Sequence, residues 1–175
     1  MSGTFNISDT GFPAAGRPCE RRRRMDGMAL AIDEARKALA EGEIPVGAVL
    51  MRGNEVLWAD HNRREQNHDP SAHAEMLCLS NGAKVLGDWR LQDCTLWVTL
   101  EPCPMCAGAL VMSRVGRCIF AIPDPEKGCC GSVYDLPADP ALGASCVWEQ
   151  AASPAEAAEC RELLRACFQQ RRSDK

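Results

Sequence analysis

The chain has 175 residues, 46% hydrophobic and 25% charged, with a net charge of -4 at pH 7. That length fits one ordinary domain, and the balance excludes wholesale disorder, collagen and coiled coil. No apolar run reaches the roughly 18 residues that span a bilayer, and no signal-peptide core is visible, so a cytoplasmic protein is expected.

Eleven cysteines, an odd number with no export signal, point to thiols or metal ligands rather than a disulfide framework. Charge is uneven: residues 1–24 set Arg17 and Arg21 to Arg24 against Asp9 and Glu20, which leaves the remainder acidic. Such a body does not coat nucleic acid by charge alone; a polyanion must be met by a local basic surface. Residues 1–24 are rich in Gly, Pro and Ser without apolar periodicity and are expected to be a disordered Arg-rich extension. Met25 and Met28 are both candidate starts, and residues 25–172 are expected to form a single domain.

In chain order, Met28, Leu30, Ile32, Ala35, Ala38 and Leu39 fall largely at helical spacing, with Gly42 as the stop. Residues 46–51 and 56–58 read as a hairpin turning through residues 52–55, its first strand too apolar for an edge. A polar loop over residues 61–69 leads to Ser71, the expected N-cap of a helix to Ser80 that Asn81-Gly82 closes. Residues 94–100 form a buried strand, Pro102 introduces a helical run to Ser113, residues 115–122 form another strand, and a helix from Pro154 to about Gln170 ends the pattern. This order implies a sheet covered by helices.

Three histidines exist: His61, His68 and His73. His73-Ala74-Glu75 opens one helix, while Cys103 and Cys106 stand at i and i+3 where the next begins. Helix N-termini favour thiolate over thiol, and two sulfurs with one imidazole suit zinc. Three protein ligands leave a tetrahedral ion one open position, the mark of a catalytic site, and Glu75 can serve a water there as a proton carrier.

His73-Ala74-Glu75 with Pro102-Cys103-Pro104-Met105-Cys106 resembles the signature of the zinc-dependent cytidine and deoxycytidylate deaminase superfamily. Within it, residues 25–172 most resemble the bacterial tRNA-specific adenosine deaminases. The matching stretches are residues 43–49, 69–75, 98–103 and 106–109, with Gly131-Ser132. The resemblance implies an α/β, three-layer α/β/α fold with a central mixed sheet of about five strands. It implies one zinc ion on His73, Cys103 and Cys106, with Glu75 moving protons. Asn62 would contact the base, Val46 and Ala74 would wall the pocket, and the Cys103 backbone amide would help hold the water. Asp124, Phe168, Arg171 and Arg172 would meet RNA. The implied reaction is hydrolytic deamination of adenosine to inosine at the wobble position of a tRNA anticodon, by a homodimer. Pro123 and Glu126 depart from the basic character usual around Asp124, and residues 143–145 lack an asparagine-histidine pair found in the family.

Other readings use the same residues. A deaminase of this fold acting on free guanine, cytosine or cytidine is one, and a noncatalytic zinc-bearing RNA-binding module is another. Cys-x-x-Cys is also a redox pair elsewhere, or half of a closed zinc site with Cys94, Cys118, Cys129 or Cys130 as fourth ligand. Cys129 and Cys130 are expected to be reduced and separately packed, Cys78 to lie in the core, and His61 and His68 to be loop residues, His68 bracing the site from outside. Taken alone, Phe168 is a core residue.

Overall fold

The structure, a computed structural model, describes residues 26–143 and 146–173. The Arg-rich extension expected over residues 1–24 lies outside the described residues, as do Ala144 and Ser145.

Helix α1 (Gly27–Ala40) starts where the Asp26 carboxylate accepts hydrogen bonds from the amides of Met28 and Ala29, and it buries the stripe Met28, Ala31, Ile32, Ala35 and Ala38. Gly42, at φ +80°, takes the left-handed conformation that ends it. Strands β1 (Gly47–Arg52) and β2 (Glu55–His61) form the expected hairpin, with Gly53 at φ +59° in the turn. β2 runs three residues past the apolar segment, so His61 is a strand residue and not part of a loop. It is buried because both its ring nitrogens meet carboxylates, Glu34 at 2.8 Å and Glu41 at 3.0 Å.

After the short helix α2 (Arg64–Asn67), helix α3 (Ala74–Leu86) differs from expectation at both ends. Ser71 does not cap it: the Ser71 hydroxyl donates to Asp69 at 2.6 Å, and His73 holds the N-cap position. Nor does Asn81-Gly82 stop it. Gly82 is a packing residue, since a Cβ there would lie 2.4 Å from Leu50 Cδ2; the stop is Gly87 at φ +74°. Strand β3 (Cys94–Leu100), helix α4 (Pro104–Met112), strand β4 (Arg117–Ile122), strand β5 (Val147–Gln150) and helix α5 (Pro154–Ser173) follow.

The sheet order is β2-β1-β3-β4-β5. β1 runs antiparallel to β2 and β3, whereas β3, β4 and β5 are mutually parallel. Alternation along the strands separates two cores. Ala48, Leu50, Leu96, Val98, Cys118 and Phe120 pack with Ala74, Cys78, Ala107 and Leu110 of α3 and α4. Ile119, Ala121 and Ile122 pack with Met28 and Ile32 of α1 and Ala157 and Cys160 of α5, while Val49 and Met51 meet Ala31 of α1. The result is the expected α/β/α sandwich around a mixed five-stranded sheet. Cys78 lies in the core, its thiol donating to the Ala48 carbonyl at 3.2 Å. The carboxyl ends of β3 and β4 open beside the N-termini of α3 and α4, the crevice in which open α/β sheets place ligands.

Candidate active site

His73 is the N-cap of α3 and Cys103 the N-cap of α4, with Cys106 in the first turn behind it. Two helix starts therefore meet at one point. The Cys103 and Cys106 sulfurs are 3.6 Å apart, and His73 Nδ1 lies 3.7 Å from the first and 3.6 Å from the second. A tetrahedral zinc ion, with bonds of about 2.3 Å to sulfur and about 2.0 Å to nitrogen, spaces such donors about 3.6–3.8 Å apart. The donor set fits zinc in type and in spacing. Among the described residues no fourth His, Cys, Asp or Glu joins this group within 4.8 Å, so Cys94, Cys118, Cys129 and Cys130 are not ligands and three protein donors leave one position open.

The electrostatics agree. The Cys103 thiol is pushed down to about 4, first by its hydrogen bond with Cys106 and also by His73, against the opposing effect of burial. That same bond, with burial, pushes Cys106 up, because two ionised sulfurs side by side repel. A dication at their junction removes the conflict. Burial raises the Glu75 carboxyl above its ordinary value, the direction that favours a group which takes up and returns a proton.

A cavity of about 410 Å³ covers the group, large enough for a nucleobase. Val46, Asn62, His73, Ala74, Glu75, Cys103, Asp124 and Phe168 all line it. Arg171 and Arg172 do not: Arg171 donates to the Gly42 carbonyl at 3.3 Å, and Arg172 is exposed near the end of α5. Phe168 is exposed at the cavity rather than in the core. His68 caps α2 at φ 49° and is exposed, so it does not brace the site. Cys129 and Cys130 are buried and unbridged, as expected.

Two buried acids escaped the sequence reading. Glu43 accepts the Asn62 side-chain amide at 2.8 Å and the Gln66 backbone amide at 2.8 Å. Glu101 accepts the amides of Asp124, Cys130 and Ser132 and the Ser132 hydroxyl, tying the loop after β4 to the segment before Cys103. Asp124 turns its carboxylate onto the amides of Glu126 and Lys127. The available signal was their place in the stretches that match the family, Glu43 shortly before β1 and Glu101 just after β3, positions that read equally well as a solvated boundary.

Residues 21–122 match the model of the cytidine and deoxycytidylate deaminase zinc-binding region. The tRNA-specific adenosine deaminase of Aquifex aeolicus is 39% identical over 145 residues, 83% of this chain and 93% of that protein. That of Bacillus subtilis is 52% identical over 106 residues, 61% of this chain and 66% of that protein, just under two thirds of its length. A solved structure from work on A-to-I editing by tRNA:A34 deaminases superposes with a TM-score of 0.72 at 34% identity, covering 77% of this chain and 97% of the other. Guanine deaminase from Nitrosomonas europaea shares the fold, at a TM-score of 0.67 and 18% identity over 91% of this chain and 100% of the other.

Proposed function

The chain belongs to the cytidine and deoxycytidylate deaminase zinc-binding family, and we propose that this member deaminates adenosine to inosine at the wobble position of a tRNA anticodon. The observation that carries the reading is the convergence of His73, Cys103 and Cys106 at 3.6–3.7 Å beneath a cavity that Glu75 also lines. Zinc held there supplies Lewis acidity, which makes water a nucleophile near neutral pH. His73, Cys103 and Cys106 fix the ion's place.

Glu75 does the proton work. Its buried carboxylate takes a proton from the attacking water and returns it to the departing amine, so that adenosine and water give inosine and ammonia. Val46 and Ala74 close on the faces of the base, Asn62 bonds its edge, and the Cys103 amide, at the start of α4, helps hold the water. Asp124 shapes the rim, and Phe168 offers a surface on which an unstacked anticodon base can lie. Arg171 and Arg172, outside the cavity, meet phosphates farther along the stem-loop, so rates fall as salt rises. A homodimer is supported by α4, which carries no charged residue and exposes Met105 and Met112; sedimentation tests it. A tRNA substrate is compatible with a cytoplasmic enzyme.

Incubation with unmodified tRNA, followed by sequencing for inosine, is the test. Inosine confined to the wobble position supports the reading. Ammonia from guanine, cytosine or cytidine, with none from the stem-loop, replaces it by deamination of a free base or nucleoside.

A further inference from the structure

Asn62 lines the cavity, yet its side chain is already engaged on the other side. Nδ2 lies 2.8 Å from Glu43 Oε2, and Glu43 is fully buried. The other oxygen, Oε1, accepts the Gln66 backbone amide at 2.8 Å. That second bond makes Oε1 an acceptor, because a main-chain N–H can only donate, and leaves Oε2 to face Asn62. Gln66 is held from its other end, its side-chain amide donating to Glu41 at 2.7 Å, and Glu41 is held in turn by His61 at 3.0 Å. Glu43 therefore sits where it cannot turn away.

We propose that Glu43 is a positioning residue that decides which end of the Asn62 amide meets the substrate: it holds Nδ2 toward itself and leaves Oδ1 as the acceptor offered to the cavity. The inference rests on the reading of that cavity as the base pocket. In adenosine the groups that can meet an acceptor there are the N–H of the 6-amine and the ribose hydroxyls, since N1, N3 and N7 all present lone pairs, and a mismatched buried pair leaves both groups unsatisfied.

The exchange Glu43→Gln tests this without changing shape. Its carbonyl must keep the Gln66 amide, so its NH2 faces Asn62. Two NH2 groups cannot bond to each other, so Asn62 turns over and presents Nδ2 to the cavity. Adding Asn62→Asp restores the original order: one Asp oxygen takes the Gln amide, and the other returns an acceptor to the cavity. With zinc content and melting temperature as controls, kcat/KM on an anticodon stem-loop should fall at least about tenfold in E43Q. It should recover several-fold or more in E43Q/N62D, with N62D alone impaired because it sets two carboxylates face to face. E43Q within twofold of the parent, or a double variant no better than E43Q, overturns the proposal.

An arm without turnover separates this from the function itself. In 1H–15N NMR spectra the Asn62 side-chain amide, identified by its loss in N62D, should carry one proton shifted downfield by the carboxylate, and that shift should vanish in E43Q. An Asn62 signal indifferent to E43Q overturns the proposal even if the substrate is a free base; a normal shift with no stem-loop turnover by the parent leaves Glu43 in its role and removes the tRNA reading.

Discussion

His73, Cys103 and Cys106 beneath the cavity, and Glu34, Asp60 and His61 at the end of β2, each bring three ligand-type atoms within 4.8 Å of one another. Distance does not separate them; counter-charge does. In the second cluster every carboxylate oxygen already faces an N–H. Lys37 and His61 take the two oxygens of Glu34 at 2.5 Å and 2.8 Å. Arg63 and the His61 backbone amide take Oδ1 of Asp60 at 2.8 Å and 2.9 Å, and Trp58 takes Oδ2 at 3.2 Å. A cation arriving there would have to expel two others. The sulfur site has no such occupants, and its two thiols cannot both ionise until a cation joins them. Crowded ligands make a metal site when their charge is left unmet, and a structural clamp when it is not.

That contrast can be broken at either cluster. The largest effect is expected from Glu75→Ala, which should lower turnover about 10²–10⁴-fold while one zinc per chain remains by metal analysis. Turnover near that of the parent would remove Glu75 from proton transfer. Cys106→Ala should abolish zinc retention after dialysis, with a fall in melting temperature, because metal binding is coupled to folding. His61→Ala should leave zinc at one per chain. A second equivalent of zinc bound by the parent and lost in that variant would make the two clusters equals.

His61→Ala should instead cost about 3 kcal/mol in denaturant unfolding, since it leaves a buried carboxylate without its partner. Lys37→Ala should cost less than about 1 kcal/mol, its ammonium being mostly in water. The smallest effect is on pH. The hydrogen bond from His61, followed by that from Gln66, lowers Glu41 below its ordinary value. A carboxyl depressed on folding stabilises above its unfolded pKa and loses that contribution as pH falls through the folded one. The parent should therefore weaken on the acid side of the ordinary carboxylate range, and Gln66→Ala should weaken less steeply there.

What the sequence disclosed followed from how local each constraint is. His73, Glu75, Cys103 and Cys106 lie in two short runs whose spacing alone puts the donors at helix starts, so the centre was readable before any fold. His61 was not, because Ala59-Asp60-His61 is too polar to look like a strand and becomes one through partners on α1, far away in the chain. Gly82 was misread for a similar reason: a glycine that admits Leu50 looks in sequence like one that ends a helix. β5 is four residues of mixed character, without an apolar run to mark it, and its pairing with β4 defines it. The bond from Arg171 back to the Gly42 carbonyl was equally unreadable, a contact that only the path of α5 creates.

The Glu101 latch has a mechanical corollary. It sits two positions ahead of Cys103, and its carboxylate is stitched to Asp124, Cys130 and Ser132. A load on the outer lip of the cavity therefore reaches, through one acidic side chain, the turn that leads into Cys103 at the start of α4. The lip and the first sulfur donor are joined by a link only a few atoms long.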